Sequence, residues 1–124
     1  MKGRPFHHRM RFALAGLKAG WTREASFRTQ GRMALVAVLA LLVLRPAPIW
    51  WAIVLLVVAM ILALELLNSA IEGVIDLLHP GLHPEIKAVK DMVAGAVLMT
   101  SIAALAIGVA LLVEHGPTVM EWWQ

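Results

Sequence analysis

Two uncharged stretches, residues 46–64 and 92–113, decide what this chain can become. At 1.5 Å of helical rise per residue, their 19 and 22 residues approach or exceed the roughly 30 Å of a bilayer's hydrocarbon core. A third stretch, residues 33–44, has only 12 residues and is too short alone. It must recruit Ala25, Ser26 and Phe27, so a helix over about 25–44 carries Arg28 and Arg32 in its cytoplasmic turns, where long side chains snorkel. Backbone polar groups in lipid must be satisfied within their own segment, so the spans are helices. With 60% hydrophobic and 15% charged residues and a mean hydropathy of +0.79, there is too little polar surface to coat a soluble domain and too much apolar sequence for disorder. The expected fold is an all-α membrane protein with three transmembrane helices.

Charge sets the orientation. Eight of the eleven Lys and Arg residues lie in the first 32 positions against one acid, Glu24, a formal charge of +7 for that segment. The N-terminus is therefore expected in the cytoplasm. Three crossings then put a loop of about 77–89, ending with Lys87 and Lys90, in the cytoplasm and the acidic segment with Glu114 and Glu121 outside. Trp50, Trp51, Trp122 and Trp123 fall on the outer side, where indole rings favour the headgroup level. Pro46 and Pro48 end the first span and make the outer hairpin. No cleavable secretory signal is expected, because the basic start is long and no small-residue cleavage site follows the first apolar stretch.

Ahead of the spans, Met10, Leu14, Leu17 and Trp21 recur at i, i+4, i+7 and i+11, while Arg9, Arg11 and Lys18 avoid that stripe. The pattern reads as a basic amphipathic helix on the anionic inner leaflet, or more simply as a topogenic signal. The chain accordingly divides into a cytoplasmic tail and surface helix (1–23), a membrane domain (24–113) and an outer tail (114–124). With no cysteine, disulfides, thiolate metal sites and thiol nucleophiles are excluded.

Four polar groups interrupt the second span: Glu65, Asn68, Glu72 and Asp76, in the string ELLNSAIEGVID. On a helix they fall, with Ser69, within an arc of roughly 100°. Glu65 lies nineteen residues after Pro46, about 28 Å along a helix descending from outside, so the stripe sits at and just beyond the cytoplasmic interface. The third helix, beginning with Lys90 and Asp91, and the first, with Glu24 and Arg28, bring charge to the same level. Ionisable groups at membrane depth face a bundle interior or an aqueous cavity and mark a functional site. Carboxylates with a lysine suit a hard divalent cation and phosphates, and a further carboxylate can accept a hydroxyl proton. The competing reading is that these groups merely hydrogen-bond helices together.

Other candidates are weaker. His79 and His83 are four apart, but Pro80, Gly81 and Pro84 break any helix that would align them as a metal pair. His7 and His8 read as tail residues. Neither a phosphate-binding G-x-x-x-x-G-K-[ST] loop nor a protein-kinase motif set occurs, so nucleotide chemistry would not use the usual soluble scaffolds.

Taken together, GLKAGWTREASFRTQG, ELLNSAIEGVID and AVKDMVAGAVL resemble the bacterial integral-membrane diacylglycerol kinase family, which also includes undecaprenol kinases. The resemblance covers about residues 12–113. It implies a homotrimeric bundle in the bacterial inner membrane, with active sites shared between subunits and the γ-phosphoryl of ATP transferred to a lipid hydroxyl. It implies that Glu65 is the base, and that Glu24 and Glu72 hold Mg²⁺ with ATP. Asn68, Lys90 and Asp91 would orient the nucleotide, His83 falls in a nucleotide-contacting loop, and Ser26, Phe27, Arg28 and Gln30, with Glu65, would meet the lipid. The partners expected are a lipid alcohol, ATP, the membrane and copies of the same chain, with no nucleic acid.

The reading is therefore a Mg-ATP-dependent diacylglycerol kinase making phosphatidate, with undecaprenol kinase as the same-class rival. A small proton-coupled transporter would carry its carboxylates near the midplane rather than at one interface. A non-enzymatic accessory subunit would leave the clustered Glu, Asn, Lys and Asp without a purpose.

Overall fold

Helix boundaries fall where the backbone chemistry requires them. The computed structural model describes residues 3–81 and 83–124, which form α1 (Phe6–Arg23), α2 (Ala25–Leu44), α3 (Pro48–Leu78) and α4 (Pro84–Trp122). The last three are each long and apolar enough to cross a bilayer, so this is an all-helical membrane protein.

A single residue separates α1 from α2. Glu24 is extended (φ −112°, ψ 111°), yet its N–H donates to the Gly20 carbonyl at 2.9 Å and its carbonyl accepts the Arg28 N–H at 3.2 Å. One backbone unit thereby closes one helix and opens the next. At the other end of α2, Arg45 turns left-handed (φ 50°) and donates to the Leu41 carbonyl at 3.0 Å. Pro46 bars Arg45 from continuing the helix, and Pro48 begins α3 with its φ already helical.

The connection between α3 and α4 is shorter than the sequence implied. The expected loop of about 77–89 shrinks to residues 79–83, and the third span starts at Pro84 instead of Lys90. Pro84 is a favoured first-turn residue, and the His83 side chain caps the helix by accepting the Glu85 N–H at Nδ1, 3.1 Å. His79 caps the end of α3 and His83 the start of α4, so they share no helix face. The other terminal differences are extensions. α1 takes in His7 and His8, which read as tail, and α4 continues beyond residue 113 through Pro117 to Trp122. A proline inside a helix removes one backbone hydrogen bond, a loss membrane helices tolerate when neighbouring groups compensate.

α3 is central, packed against both α2 and α4, with α1 in contact with α2 and α3. α3 and α4 run antiparallel. At one end Trp50 meets the His115 ring edge-on, centroids 5.8 Å apart, and at the other Asp76 pairs with Lys90. The best-packed core lies toward the Arg45 end, where Leu41, Val54 and Leu111 are buried against Ala37, Leu44, Trp50 and Ile107. Lipid is as apolar as these side chains, so shape-matched packing rather than exclusion of water holds this core.

Candidate functional site at one end of the helix bundle

The buried face of α3 changes chemistry partway along its length. Val54, Val57 and Ile61 form its apolar seam, and the next position on the same face is Glu65, 6% exposed. Asn68 and Glu72 follow at the same helical spacing, Asn68 half-buried and Glu72 exposed. The polar stripe is thus the packing seam continued in polar residues. Glu65 has no side-chain hydrogen bond or ion pair among the described residues. Asn68 Oδ1 is buried with no donor facing it, which leaves about 1–3 kcal/mol of desolvation uncompensated within one chain.

Glu24 comes to this stripe from the other side. It is half-buried and lines a groove of about 450 Å³ with Arg23, Leu66, Leu67, Ser69 and Ala70. Ser69 belongs to the polar arc of α3 and lies about one helical turn before Glu72, so the groove brings Glu24 to that arc.

Around Glu24 the four residues that the resemblance assigns to lipid differ in setting. Ser26 is exposed. Phe27 is buried and packs beside Gly20, within 3.6 Å of where a Cβ there would lie. Arg28 folds back, its Nη1 donating to the Trp21 carbonyl at 2.8 Å. Gln30 lines a second groove, about 550 Å³ and otherwise almost wholly apolar, that runs past Ile61 and Ser101 between α2, α3 and α4.

On α4, Lys90 Nζ pairs with Asp76 Oδ1 at 3.1 Å, and Asp91 Oδ2 with Lys87 Nζ at 2.6 Å. Both pairs are substantially exposed, and such pairs are worth about 0–1 kcal/mol. The first joins the charged start of α4 to the end of α3 without locking it, and the second lies within α4. His83, in the turn between them, uses Nδ1 as the helix cap and is otherwise exposed.

The donor set suits a hard cation. Glu24 and Glu72 have no ion-pair partner among the described residues, and carboxylate oxygens are the ligands a Mg²⁺-like ion takes. No group of three His, Asp or Glu residues gathers within one chain among the described residues. One chain thus offers at most two such ligands, the number usual where phosphate oxygens and water complete the shell.

The helical periodicity marks Ser69 but not Gly20, Gly31 or Leu66, which shape the Glu24 corner. Glycines inside helices are the signal the sequence carries, and which neighbour each one admits depends on how the helices pack.

Residues 11–112 match the family described as prokaryotic diacylglycerol kinase. The chain is 35% identical over 104 residues to the diacylglycerol kinase of Escherichia coli (strain K12), covering 84% of this chain and 85% of that protein. It is 35% identical over 103 residues to the diacylglycerol kinase of a Synechocystis strain, covering 82% of this chain and 59% of that one. It is also 33% identical over 88 residues to the undecaprenol kinase of Bacillus subtilis (strain 168), covering 71% and 72%. Similarity over this much of the chain, in the segments that form the polar end of the bundle, makes the protein a member of the prokaryotic diacylglycerol kinase family.

Proposed function

We propose that this protein is a Mg-ATP-dependent kinase of the bacterial inner membrane that phosphorylates diacylglycerol to phosphatidate at the cytoplasmic face. The observation that carries the proposal is a buried, unpaired Glu65 on the α3 seam, with the Glu24 groove reaching the same helix at Ser69 about one turn farther along. A lipid alcohol lies at headgroup level and ATP is cytosolic, so an enzyme joining them needs its polar groups at that plane. The basic segment 1–32 supports an N-terminus in the cytoplasm, with α1 resting its exposed Met10, Leu14, Leu17 and Trp21 on the inner leaflet.

In this reading Glu65 accepts the proton of the lipid hydroxyl as its oxygen bonds to the γ-phosphorus and the bridging oxygen departs with ADP. Asn68 and Lys90 orient phosphate oxygens by donating hydrogen bonds, and Lys90 balances charge that develops there. Asp91 and His83 contact the nucleotide at the mouth of the site. Glu24 and Glu72 would hold Mg²⁺, which when bound neutralises the β- and γ-phosphate oxygens. Ser26, Arg28 and Gln30 meet the lipid headgroup, while the apolar groove beyond Gln30 takes acyl chain.

The assembly is a closed homotrimer in which neighbouring subunits complete each site. Exposed Glu72 and the donorless Asn68 Oδ1 support this, since both call for groups outside one chain. Undecaprenol is the second acceptor to consider, favoured by the similarity to the Bacillus subtilis protein. The deciding experiment offers purified protein in mixed micelles equal mole fractions of dioleoylglycerol and undecaprenol with Mg-ATP. Preferential labelling of dioleoylglycerol supports the proposal, preferential labelling of undecaprenol replaces the acceptor, and labelling of neither removes the lipid-kinase reading.

A further inference from the structure

The corner between α1 and α2 is built more tightly than a connection of one residue requires. Gly20 lies directly under Leu66 of α3, so that any Cβ there would collide with Leu66 Cδ2. Gly31 is the seat of an indole: a Cβ on it would come within 2.7 Å of Trp21 Cζ3 and 3.5 Å of Cη2. Small residues at such places let helices approach until side chain meets backbone. The same Trp21 stands perpendicular to Phe27, with centroids 6.4 Å apart, and its carbonyl accepts the Arg28 guanidinium at 2.8 Å. Glu24 sits inside this knot, with its N–H bonded back to α1 and its carbonyl bonded forward to α2.

We infer that Trp21, Gly31 and Arg28 are positioning residues that aim the Glu24 carboxylate at the polar arc of α3, where it binds a divalent cation together with nucleotide phosphates. Each holds a different degree of freedom. The indole on Gly31 sets how closely α1 folds onto α2. The Arg28 bond ties the last turn of α1 to the first turn of α2, and Gly20 under Leu66 presses the pair onto α3. Glu24 has no side-chain partner among the described residues to orient it, so the direction of its carboxylate depends on the backbone these contacts hold. A ligand held this way is preorganised, and loosening its support weakens the ion without removing any ligand atom. The inference rests on the proposed metal role of Glu24.

The test is binding of Mn²⁺ with a non-hydrolysable ATP analogue to the full-length protein in micelles without lipid acceptor, read from the resonance of free Mn²⁺. Omitting the acceptor separates this role of Arg28 from any contact with lipid. Gly31→Ala, which pushes the indole off its seat, and Arg28→Met, which removes the donor, should each weaken Mn²⁺ binding about three- to thirtyfold. Loss of an outer-shell support costs about 10- to 100-fold at well-ordered metal sites. Trp21→Phe placed in the Gly31→Ala protein should restore most of the affinity, because the smaller ring leaves room for the new methyl. Wild-type Mn²⁺ affinity in assembled Arg28→Met protein would overturn the inference, and that variant decides alone if Gly31→Ala does not assemble. Glu24→Gln is run beside them: unchanged Mn²⁺ binding in Glu24→Gln would instead overturn the metal role on which the inference rests.

Discussion

Lys90 Nζ lies 3.1 Å from Asp76 Oδ1, an ion pair that bridges the last turns of α3 and the first turns of α4. Its side chains remain 39% and 67% exposed, so it joins the two helices while adding little stability. A phosphate carries more charge than Asp76 and can displace it, which would turn Lys90 from a structural partner into a ligand for nucleotide. Asp76→Asn should therefore cost about 1 kcal/mol or less in stability. Lys90→Gln should raise the KM for ATP on the order of tenfold or more, because a charge-assisted phosphate contact is lost. Equal effects of the two substitutions on KM would show that the pair acts as one structural unit.

The metal proposal predicts a selective change in cation dependence. Glu72→Gln and Glu24→Gln each replace a carboxylate oxygen by a neutral amide oxygen, a poorer ligand for a hard cation. The Mg²⁺ concentration giving half-maximal rate should rise in both, about tenfold or more. Two unshifted Mg²⁺ titrations would remove both residues from the metal site.

Leu41 is fully buried between Val54 and Leu111, and its truncation tests the fold independently of the site. Leu41→Ala should lower stability by about 2 kcal/mol or more through lost packing and a cavity. Denaturation in mixed micelles would read this. A loss below about 0.5 kcal/mol would mean the helices collapse into the space, contrary to the close packing described.

Shared sites predict rescue between impaired subunits where Glu24 of one chain and Glu72 of its neighbour serve the same site. At a Mg²⁺ concentration too low for either variant alone, mixing Glu24→Gln with Glu72→Gln chains should then return part of the wild-type rate, because some assembled sites draw both carboxylates from unmutated positions. Mixtures that stay inactive after demonstrated subunit exchange would show that both carboxylates of a site come from one chain.

Much of this architecture was legible because the bilayer imposes few solutions. The span 25–44 emerges with the expected bounds once Arg28 and Arg32 are allowed to snorkel, and the periodicity of Met10, Leu14, Leu17 and Trp21 does mark a helix. The stripe from Glu65 to Glu72 was visible as a helical arc, but its continuity with Val54, Val57 and Ile61 depends on which face α3 buries. Pro84 misled because proline stops a helix from within yet starts one at its first turn, and only the His83 cap distinguishes the cases. Pairs such as Trp21 with Gly31 and Trp50 with His115 join different helices, so they depend on crossing angle and register. No local pattern encodes those.

The central claim is that Glu65, buried at the end of an apolar seam, performs proton transfer for a lipid kinase. Radiolabelled γ-phosphoryl transfer from Mg-ATP to dioleoylglycerol, measured for wild-type and Glu65→Gln proteins shown to be equally assembled, tests it most directly. The amide preserves shape and packing but cannot accept the hydroxyl proton, so the account predicts transfer by the wild type and a loss of about 10²- to 10⁴-fold in the variant. Transfer by Glu65→Gln at near wild-type rate would contradict it.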